Sequence, residues 1–511
     1  MRAWKTLALA GGLAASVVVT VAVPTDARAF CGFYVAPSDQ PLYNDASMVA
    51  LMREGTRTVI SMSNNYKGPA ADFAMVVPVP VVLQKENVRT LPRDVFQHLE
   101  ALSAPRLVEY WEQDPCPPPV DETEEEKEYS ATPSVMLAGA AAPSDKDYGV
   151  KVEAKFSVGE YDVVVLGAKE SDGLERWLHD NGYKIPDGAA GALAPYVEEQ
   201  MKFFVAKVDI AKVQRDANGV AVLSPLRFSY EDQDFRLPVR LGLLNAKAKQ
   251  DLIVYILGKE QRYEVANYPN VYIPTNLEVT DATRDKFGAF YAALFDTAIG
   301  QFNNKAIVTE YSWQSTSCDP CPVSPLDDAD TATLGGDVLF GNQPPSGSLV
   351  LTRLHARYDA SSLSEDLVFR AASPIVGGRE TPDANGGVEK GAQPSSFNNF
   401  QARYVIRHPW TGPIACEHPQ RGIWGGPPNG GGPPPTVSAM NLAATPRGEI
   451  KLGEFLKDPV LGIVVVPPIP PGKRACGCSL PGTAASGGAA ATMAVGALFA
   501  ARSMRRRRKR R

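Results

Sequence analysis

The chain has 511 residues and 44% of them are hydrophobic, which is enough for roughly two to four compact units and excludes wholesale disorder. Glycine and proline number 43 each, a turn-rich composition that disfavours an all-helical bundle. The formal net charge of −5 includes an excess of two basic side chains before residue 30 and of eight after residue 475, so the body carries −15, which argues against nucleic acid or an anionic membrane as its partner.

The first 29 residues have the pattern of a secretory signal peptide. Two basic residues precede an apolar stretch over residues 7–23, and a small-x-small site ends at Ala29. We expect signal peptidase to cut between Ala29 and Phe30. The alternative is a membrane anchor that stays in place. A lipoprotein is disfavoured because Phe30, and not a small residue, precedes Cys31.

The next elements are predicted strands and one helix. The residues on either side of 51–56 are rich in β-formers, and residues 73–82 predict a further strand that its prolines confine to an edge or a bulge. Pro92 opens a predicted amphipathic helix. The apolar face of this helix is Val95, Phe96, Leu99 and Leu102.

Residues 114–148 predict a solvated loop. A proline cluster at 115–119 is followed by an acidic run at 121–128, and neither can bury much apolar surface. A cation site made of these carboxylates is the alternative. It is disfavoured because the run has no glycine turn and no ordered ligand spacing.

The middle of the chain mixes short strands with three helices. Helices are predicted from Ser171 to Gly182, over residues 192–200, and from Asp281 to Gly300. The last helix repeats aromatic side chains at helical spacing, which we interpret as core packing and not as a ligand box. Strands are predicted over residues 161–166, 202–210, 220–230, 235–243, 251–257, 263–273 and 349–358.

This order of elements predicts an α+β fold with a largely antiparallel sheet or sheets, a few packed helices and long irregular Gly/Pro-rich loops. We predict a body over residues 30–375 and a loop-rich C-terminal extension over 376–463. A proline-rich spacer follows at 464–475, and residues 464–471 within it predict stiff polyproline II.

Five cysteines lie between the two ends that we expect to be processed. In an oxidising compartment four of them could form two disulfides, but the sequence leaves the pairing open. The five disulfide candidates are Cys31, Cys116, Cys318, Cys321 and Cys416.

The Cys-Asp-Pro-Cys segment at Cys318 and Cys321 has two interpretations. A redox-active dithiol needs its first cysteine at a helix N-terminus, where the thiolate is stabilised. Pro322 and Pro325 follow closely here, so we favour a structural cross-link.

No metal or cofactor site stands out. His408, Cys416 and His418 offer zinc ligands within eleven residues, but prolines make the segment irregular and a fourth ligand is missing. Sequence signatures of serine hydrolases, zinc proteases and P-loop proteins are absent. Each of the five histidines is predicted at a surface or half-buried position.

The C-terminus combines a cysteine motif, an apolar span and a basic run. Cys476 and Cys478 precede 23 uncharged residues at 479–501, and residues 502–511 are mostly arginine. This order resembles the myxobacterial C-terminal sorting signal, the MYXO-CTERM class. The resemblance implies cleavage by a myxosortase-like protease and attachment, through a lipid, at one of the two cysteines. A plain tail anchor is the alternative.

Several motifs resemble the bacterial family called domain of unknown function 2330. They lie at residues 76–80, 174–186, 203–209, 226–228 and 318–321. The resemblance implies an exported bacterial domain over residues 31–370. It implies no activity, and it supplies no catalytic residue.

Together these patterns predict an exported protein of the cell envelope, displayed on the outer surface after C-terminal processing. We expect a binding or structural module with no catalytic residue, no cofactor and an unidentified ligand. The alternative is an extracellular enzyme, either a hydrolase or a thiol oxidoreductase that uses Cys318 and Cys321. A cleft with convergent titratable groups of shifted pKa would favour an enzyme.

Overall fold

A computed structural model describes most of the chain between residues 33 and 466, all of it in the unit that ends at Ile469. The predicted signal peptide, Cys31, residues 117–148 of the acidic loop and the whole C-terminal sorting segment lie outside the described residues. The described residues are 33–35, 43–67, 73–116, 149–183, 188–215, 221–245, 249–341, 343, 347–359, 361–380, 388–428, 434–440, 442, 445, 447–448, 450–457 and 464–466.

The helices are few and mostly short. The α-helices of the described residues are α1 (Asp94–Ser103), α2 (Ser171–Asp180), α3 (Ala189–Glu198), α4 (Phe287–Gly300), α5 (Asp328–Thr331) and α6 (Asp337–Leu339). A π-helical turn, Ala332–Gly336, links the last two. Turns of 3-10 helix occupy Lys85–Asn87, Arg240–Asn245, Asp281–Lys286 and Leu452–Glu454.

Strands dominate the described part of the chain. In chain order they are β1 (Phe33–Val35), β2 (Tyr43–Glu54), β3 (Arg57–Lys67), β4 (Ala74–Val79), β5 (Val88–Thr90), β6 (Arg106–Glu112), β7 (Val150–Val158), β8 (Tyr161–Ala168), β9 (Lys202–Val208), β10 (Gln214–Arg215), β11 (Ala221–Val222), β12 (Leu226–Glu231), β13 (Arg236–Leu237), β14 (Gln250–Lys259), β15 (Arg262–Val265), β16 (Asn270–Tyr272), β17 (Leu277–Glu278), β18 (Ile307–Gln314), β19 (Leu349–Tyr358), β20 (Leu367–Ala372), β21 (Ile375–Gly377), β22 (Gln393–Pro394), β23 (Asn399–Gln401), β24 (Arg403–His408), β25 (Trp424–Gly425), β26 (Thr436–Ser438) and β27 (Val464–Val466).

The largest sheet has twelve strands and lies at the centre of the fold. Its main order is β22-β21-β23-β18-β19-β14-β2-β3-β12-β5, and β16 joins it beside β18. Because side chains alternate across a strand, β2 sends Val49 and Leu51 to one face and Ala50 and Met52 to the other. Both faces are therefore covered by other elements.

A five-stranded antiparallel sheet, β1-β4-β9-β8-β7, packs on one face of the large sheet. Met75 and Phe204 of the smaller sheet meet Val49 and Leu51 in one core cluster. The outer face of the smaller sheet is covered by α2 and α3. Helix α1 covers the opposite face of the large sheet, and its predicted apolar residues are all buried.

A further sheet of five strands packs against helix α4. Its order is β17-β24-β6-β25, with β26 also on β6, and the β17-β24 and β24-β6 pairings are parallel. Helix α4 packs with Tyr404 of β24 in a cluster that buries its aromatic stripe. The interpretation of that stripe as core packing is confirmed.

The architecture is mixed, with mostly antiparallel sheets and few helices, as predicted. Several predicted strands are shorter than expected because proline has no N–H for the ladder. Pro225 separates β11 from β12, and Pro269 precedes β16. After Pro238 the chain enters the 3-10 helix Arg240–Asn245, and the Asp366 carboxylate accepts hydrogen bonds from the Val239 and Arg240 amides at 3.0 and 3.4 Å.

The first residues of the predicted proline-rich spacer are a strand. Val464–Val466 forms β27 and pairs antiparallel with β16, so these three residues differ from the predicted polyproline II conformation. β16 pairs with β18 along one edge, and its other edge offers backbone N–H and C=O groups to β27. Local sequence does not predict this distant pairing. The rest of the spacer lies outside the described residues.

Candidate functional site

The Cys318–Cys321 disulfide closes a short loop after β18. Its Cα atoms are 4.9 Å apart. Cys321 is exposed, whereas Cys318 is half-buried against the core cluster that contains Trp313. Of the two cysteines, Cys321 is the more exposed to solvent.

A fully buried arginine is hydrogen-bonded to the backbone of this loop. Arg106, the first residue of β6, donates from Nη1 to the Pro320 carbonyl at 2.6 Å and from Nη2 to the Leu102 carbonyl at 2.5 Å. Its Nε has no acceptor within the described residues. Burial lowers the pKa of Arg106 to about 10. The guanidinium therefore holds a buried positive charge at the loop without a hydrogen-bonded carboxylate.

A second buried arginine lies on the neighbouring strand. Arg403 donates to Asn276 Oδ1 at 2.8 Å and to the Tyr110 hydroxyl at 2.9 Å, and burial lowers its pKa. Gln401, two residues earlier, donates to the Asp319 carbonyl and so ties the disulfide loop to β23.

The carboxylates around the loop face solvent. The Asp319 carboxylate is partly exposed and accepts from the Glu380 backbone amide at 3.1 Å. Burial of part of the Glu380 side chain, and then the nearby Asp319, raise the pKa of Glu380. Positive charge thus lies on the buried side of the loop and negative charge on the outer side.

A second charged cluster is buried between the large sheet and α4. His355 Nδ1 lies 2.7 Å from Glu310 Oε1 and its Nε2 lies 2.9 Å from Asp251 Oδ1. All three side chains are nearly or fully buried. The Phe295 ring stacks on the imidazole with the ring centroids 4.1 Å apart.

Arginines complete this network. Arg353 donates to Glu310 Oε2 at 2.7 Å, and Arg357 donates to Asp251 Oδ2 at 2.6 Å. Burial alone would raise the pKa of Glu310, but His355 and Arg353 lower it to about 2. Burial alone would lower the pKa of His355, but Glu310 and Asp251 raise it. The geometry is that of an imidazolium held between two carboxylates.

The prediction that each histidine is at the surface or half-buried is wrong for His355, which is fully buried. The signal was present in β19, where Arg353, His355 and Arg357 alternate with apolar residues in a strongly hydrophobic strand. Charged residues on one face of a buried strand require charged partners on neighbouring elements. No comparable local signal marks Arg106.

The second disulfide, Cys116–Cys416, ties the end of β6 to the segment that follows β24. We call residues 409–425 the braced loop. The Cα atoms of Cys116 and Cys416 are 5.6 Å apart, and the disulfide joins residues that are 300 positions apart in the sequence. Glu112 adds two further ties, because its carboxylate accepts from the Trp410 amide at 3.0 Å and from the Gly422 amide at 2.8 Å.

The braced loop exposes apolar side chains although it is firmly held. Ile414 is 47% exposed and Ile423 is 45% exposed. Trp410 and Trp424 are partly exposed beside them in the sequence. Cys416, considered above as a zinc ligand, is in the disulfide, and His408 contacts Glu109 at 3.0 Å. The described residues contain no cluster of metal-ligating side chains.

A family model described as an uncharacterized protein conserved in bacteria, DUF2330, matches residues 25–370. The chain belongs to this family. The family membership predicted from the five motifs is therefore confirmed. No curated protein and no solved structure matches the chain.

The DUF2330 match contains the Cys318–Cys321 loop, Arg106 and the whole Glu310–His355–Asp251 cluster. It ends before β24, so Arg403, Gln401 and the braced loop lie beyond it. The Cys116–Cys416 disulfide joins a residue inside the matched range to one outside it.

The two described disulfides account for four of the five candidate cysteines. Cys31 lies outside the described residues, as do Ala29 and Phe30 at the predicted cleavage site and Cys476 and Cys478 in the predicted sorting signal. Within the described ranges, no helix has the length and apolar character needed to span a bilayer.

One further cleft lies at the end of the β2-β3 hairpin. It has a volume of about 380 Å³ and is lined by residues that include Arg53, Lys259 and Arg370. Arg53 is engaged, since it donates to the carbonyls of Asp232 and Gln233 at 2.7 and 3.0 Å. We find no described nucleophile and base that converge in this cleft.

Proposed function

We propose that this DUF2330 protein is exported, is held at the bacterial cell surface, and acts there as a binding module of the cell envelope. The braced loop is the observation that carries the proposal. Its disulfide closes 300 residues of chain, and such a bond persists in an oxidising compartment and not in the reducing cytosol.

The braced loop has the properties of a contact surface. Loops fixed on a rigid scaffold commonly carry function. We infer that the two exposed isoleucines of this loop are its contact residues, as part of an apolar patch of the kind that marks an interaction site. Ile414 and Ile423 are exposed to nearly half of their full extent. The disulfide and the Glu112 hydrogen bonds reduce the entropy that binding would otherwise cost.

The binding role is tested with the full chain and two envelope probes, isolated murein sacculi and outer-membrane vesicles. We expect the unmodified protein to co-sediment with one of them. A double variant, Ile414→Ser with Ile423→Ser, should lose about thirtyfold in affinity, since two contact residues at roughly 1 kcal/mol each are removed.

The matched control is Val368→Ser, which changes an exposed apolar residue elsewhere and should bind as the unmodified chain does. Failure of the unmodified chain to co-sediment with either probe contradicts the binding role. Equal affinity of the double variant would place the contact surface elsewhere.

We infer further that the C-terminal segment anchors the protein after processing. The cysteine motif, weakly apolar span and arginine run support a sorting signal, because a Gly/Ala-rich span inserts marginally and the basic run retains it. Changing both Cys476 and Cys478 to Ala should leave an uncut protein in the inner membrane. The mature mass and the surface accessibility to added protease measure this. A double variant that reaches the surface with an unchanged mature mass would contradict the sorting signal.

A further inference from the structure

We propose that the Cys318–Cys321 disulfide is a thiol–disulfide exchange site whose partner is a dithiol of another exported protein, and that Arg106 is a positioning residue for it. The proposal goes beyond the binding role and is independent of the braced loop. It rests on the unequal exposure of the two cysteines and on the buried charge beneath their loop.

The exposure of the two cysteines suits a defined order of attack. Cys321 is exposed and Cys318 is half-buried. An external thiolate can therefore approach the Cys321 sulfur, while Cys318 is the leaving group. The two cysteines are only three positions apart in the sequence. Breaking their disulfide therefore releases little conformational entropy in the chain.

Arg106 supplies the charge that a leaving thiolate needs. Redox-active cysteines lie in electropositive surroundings, commonly at a helix N-terminus. Here α5 begins only at Asp328, and a buried guanidinium hydrogen-bonded to the Pro320 carbonyl takes that role. Its Nε has no acceptor among the described residues, so part of its hydrogen-bonding capacity is unused.

The other charges near the loop do not cancel this effect. Arg403 is fully buried, and its positive charge adds to that of Arg106, whose pKa it lowers. Arg379 is neutralised by its two hydrogen bonds to Glu389 at 2.7 Å each. Asp319 and Glu380 are the nearby carboxylates, and both reach solvent, which screens them more than it screens a buried guanidinium.

A protein dithiol is the reductant in this exchange, and it supplies both of the electrons that reduce the Cys318–Cys321 disulfide. One thiolate of the dithiol attacks Cys321 Sγ, a mixed disulfide forms, and the Cys318–Cys321 bond breaks with its electron pair on Cys318 Sγ. The second thiolate of the partner then attacks the partner's own sulfur in the mixed disulfide and releases Cys321 as a thiolate. The partner leaves as a disulfide, and both cysteines of this chain take protons from solvent. The reverse sequence reduces a partner disulfide.

Selective reduction is the first test. The full chain is equilibrated with dithiothreitol at graded ratios of its dithiol and disulfide forms, and each cysteine is assigned by differential alkylation and peptide mass spectrometry. We expect Cys318–Cys321 to be half-reduced at a ratio at least tenfold lower than Cys116–Cys416. Simultaneous reduction of the two disulfides, or the reverse order, overturns the proposal.

Trapping of a mixed disulfide tests the order of attack. In the reduced chain, Cys318→Ser leaves the exposed thiol and Cys321→Ser leaves the half-buried one. With oxidised glutathione as the probe, we expect Cys318→Ser to form the mixed disulfide at least tenfold faster than Cys321→Ser. Equal rates, or a faster Cys321→Ser, contradict the assignment.

The role of Arg106 is tested by the pH dependence of alkylation. In the reduced unmodified chain, iodoacetamide should modify Cys318, the leaving group, with a midpoint at least about one pH unit below the ordinary thiol value of about 8.5. Arg106→Met should raise this midpoint and Arg106→Lys should restore part of it, which a purely structural role would not do. If Arg106→Met does not fold, the alkylation midpoints of the unmodified chain and of Arg106→Lys still test the role of Arg106. An ordinary midpoint in both overturns the role of Arg106.

Discussion

His355 shows how a single buried charge is made tolerable in this protein. An isolated imidazolium inside a fold is costly, but Glu310 and Asp251 accept its two N–H groups at 2.7 and 2.9 Å. Arg353 and Arg357 occupy the remaining oxygens of the two carboxylates. The buried charges of the network therefore compensate one another. Removal of one of these side chains leaves a buried charge without its partner.

We predict that His355→Gln lowers the free energy of unfolding by about 3–5 kcal/mol at pH 6, because two buried carboxylates lose the cation between them. Urea unfolding followed by circular dichroism measures this. The control is His179→Gln, which changes an exposed residue beside Asp180 and should stay within about 0.5 kcal/mol. A loss below about 1 kcal/mol for His355→Gln would show that the imidazole is neutral in the folded protein.

The same network sets a pH dependence. The pKa of His355 is raised on folding, so its contribution is complete below its unfolded value of about 6.5 and is lost as pH rises through the folded-state value. The pKa of Glu310 is lowered to about 2, so its contribution is complete above about pH 4.5 and is lost as pH falls towards 2. Stability should therefore decline on both sides of roughly pH 5–6.5, and the decline above pH 6.5 should be smaller in His355→Gln. Parallel curves for the two proteins above pH 6.5 would contradict this.

At the scale of elements, β19 links the core to the charged network. Leu354, Ala356 and Tyr358 face the main hydrophobic cluster, whereas the basic residues between them face Glu310 and Asp251. The period of two residues in a strand makes this division automatic. One strand thus fixes both the sheet-to-sheet packing and the position of the network under α4.

The two disulfides differ in what they connect. Cys116–Cys416 fastens the loop after β6 to residues 300 positions away, whereas Cys318–Cys321 spans three. By the chain-entropy relation, the former stabilises the fold by about 6 kcal/mol and the latter by about 2 kcal/mol.

We therefore predict a larger loss of stability for the Cys116→Ala, Cys416→Ala pair than for the Cys318→Ala, Cys321→Ala pair, which is the matched control. Thermal unfolding of both variants measures the difference. Limited proteolysis of the first variant should cut within the braced loop, which the disulfide otherwise holds. Equal melting temperatures for the two variants would contradict the entropic argument.

At the scale of the whole molecule, the fold extends past the residues that define the family. The DUF2330 match ends at residue 370, yet β24 lies beside β6 in register from Arg403 to His408 and supplies Tyr404 to the core around α4. Without β24, β6 would lose a parallel neighbour and the α4 cluster would be open to water.

We predict that a chain of residues 30–370 does not fold cooperatively, whereas a chain of residues 30–469 does. Urea unfolding should give a sharp transition for the longer chain and a broad or absent one for the shorter. Binding of a hydrophobic dye by the shorter chain reports the exposed α4 cluster. A sharp transition for the shorter chain would mean that residues 388–457 are accessory to the core.

The positions of the principal elements follow from local sequence. The apolar face of α1, the aromatic stripe of α4 and the strand β19 were all predictable, because hydrophobic periodicity directly reflects which side chains leave water. The short motifs of the sequence likewise predicted the family. Pro225 and Pro269 also carried the information that the long predicted strands are interrupted, since a proline cannot complete a central ladder.

The pairings across long separations were decided by tertiary structure. Five candidate cysteines allow many connectivities, and only the meeting of the loop after β6 with the braced loop selects Cys116–Cys416. In the same way, Arg106 reaches Pro320 across 214 positions, and His355 meets carboxylates from two other strands. Local sequence records which residues prefer to be buried or charged, but the partner of a buried charge or thiol depends on sheet order and register, which exist only once the distant segments have come together.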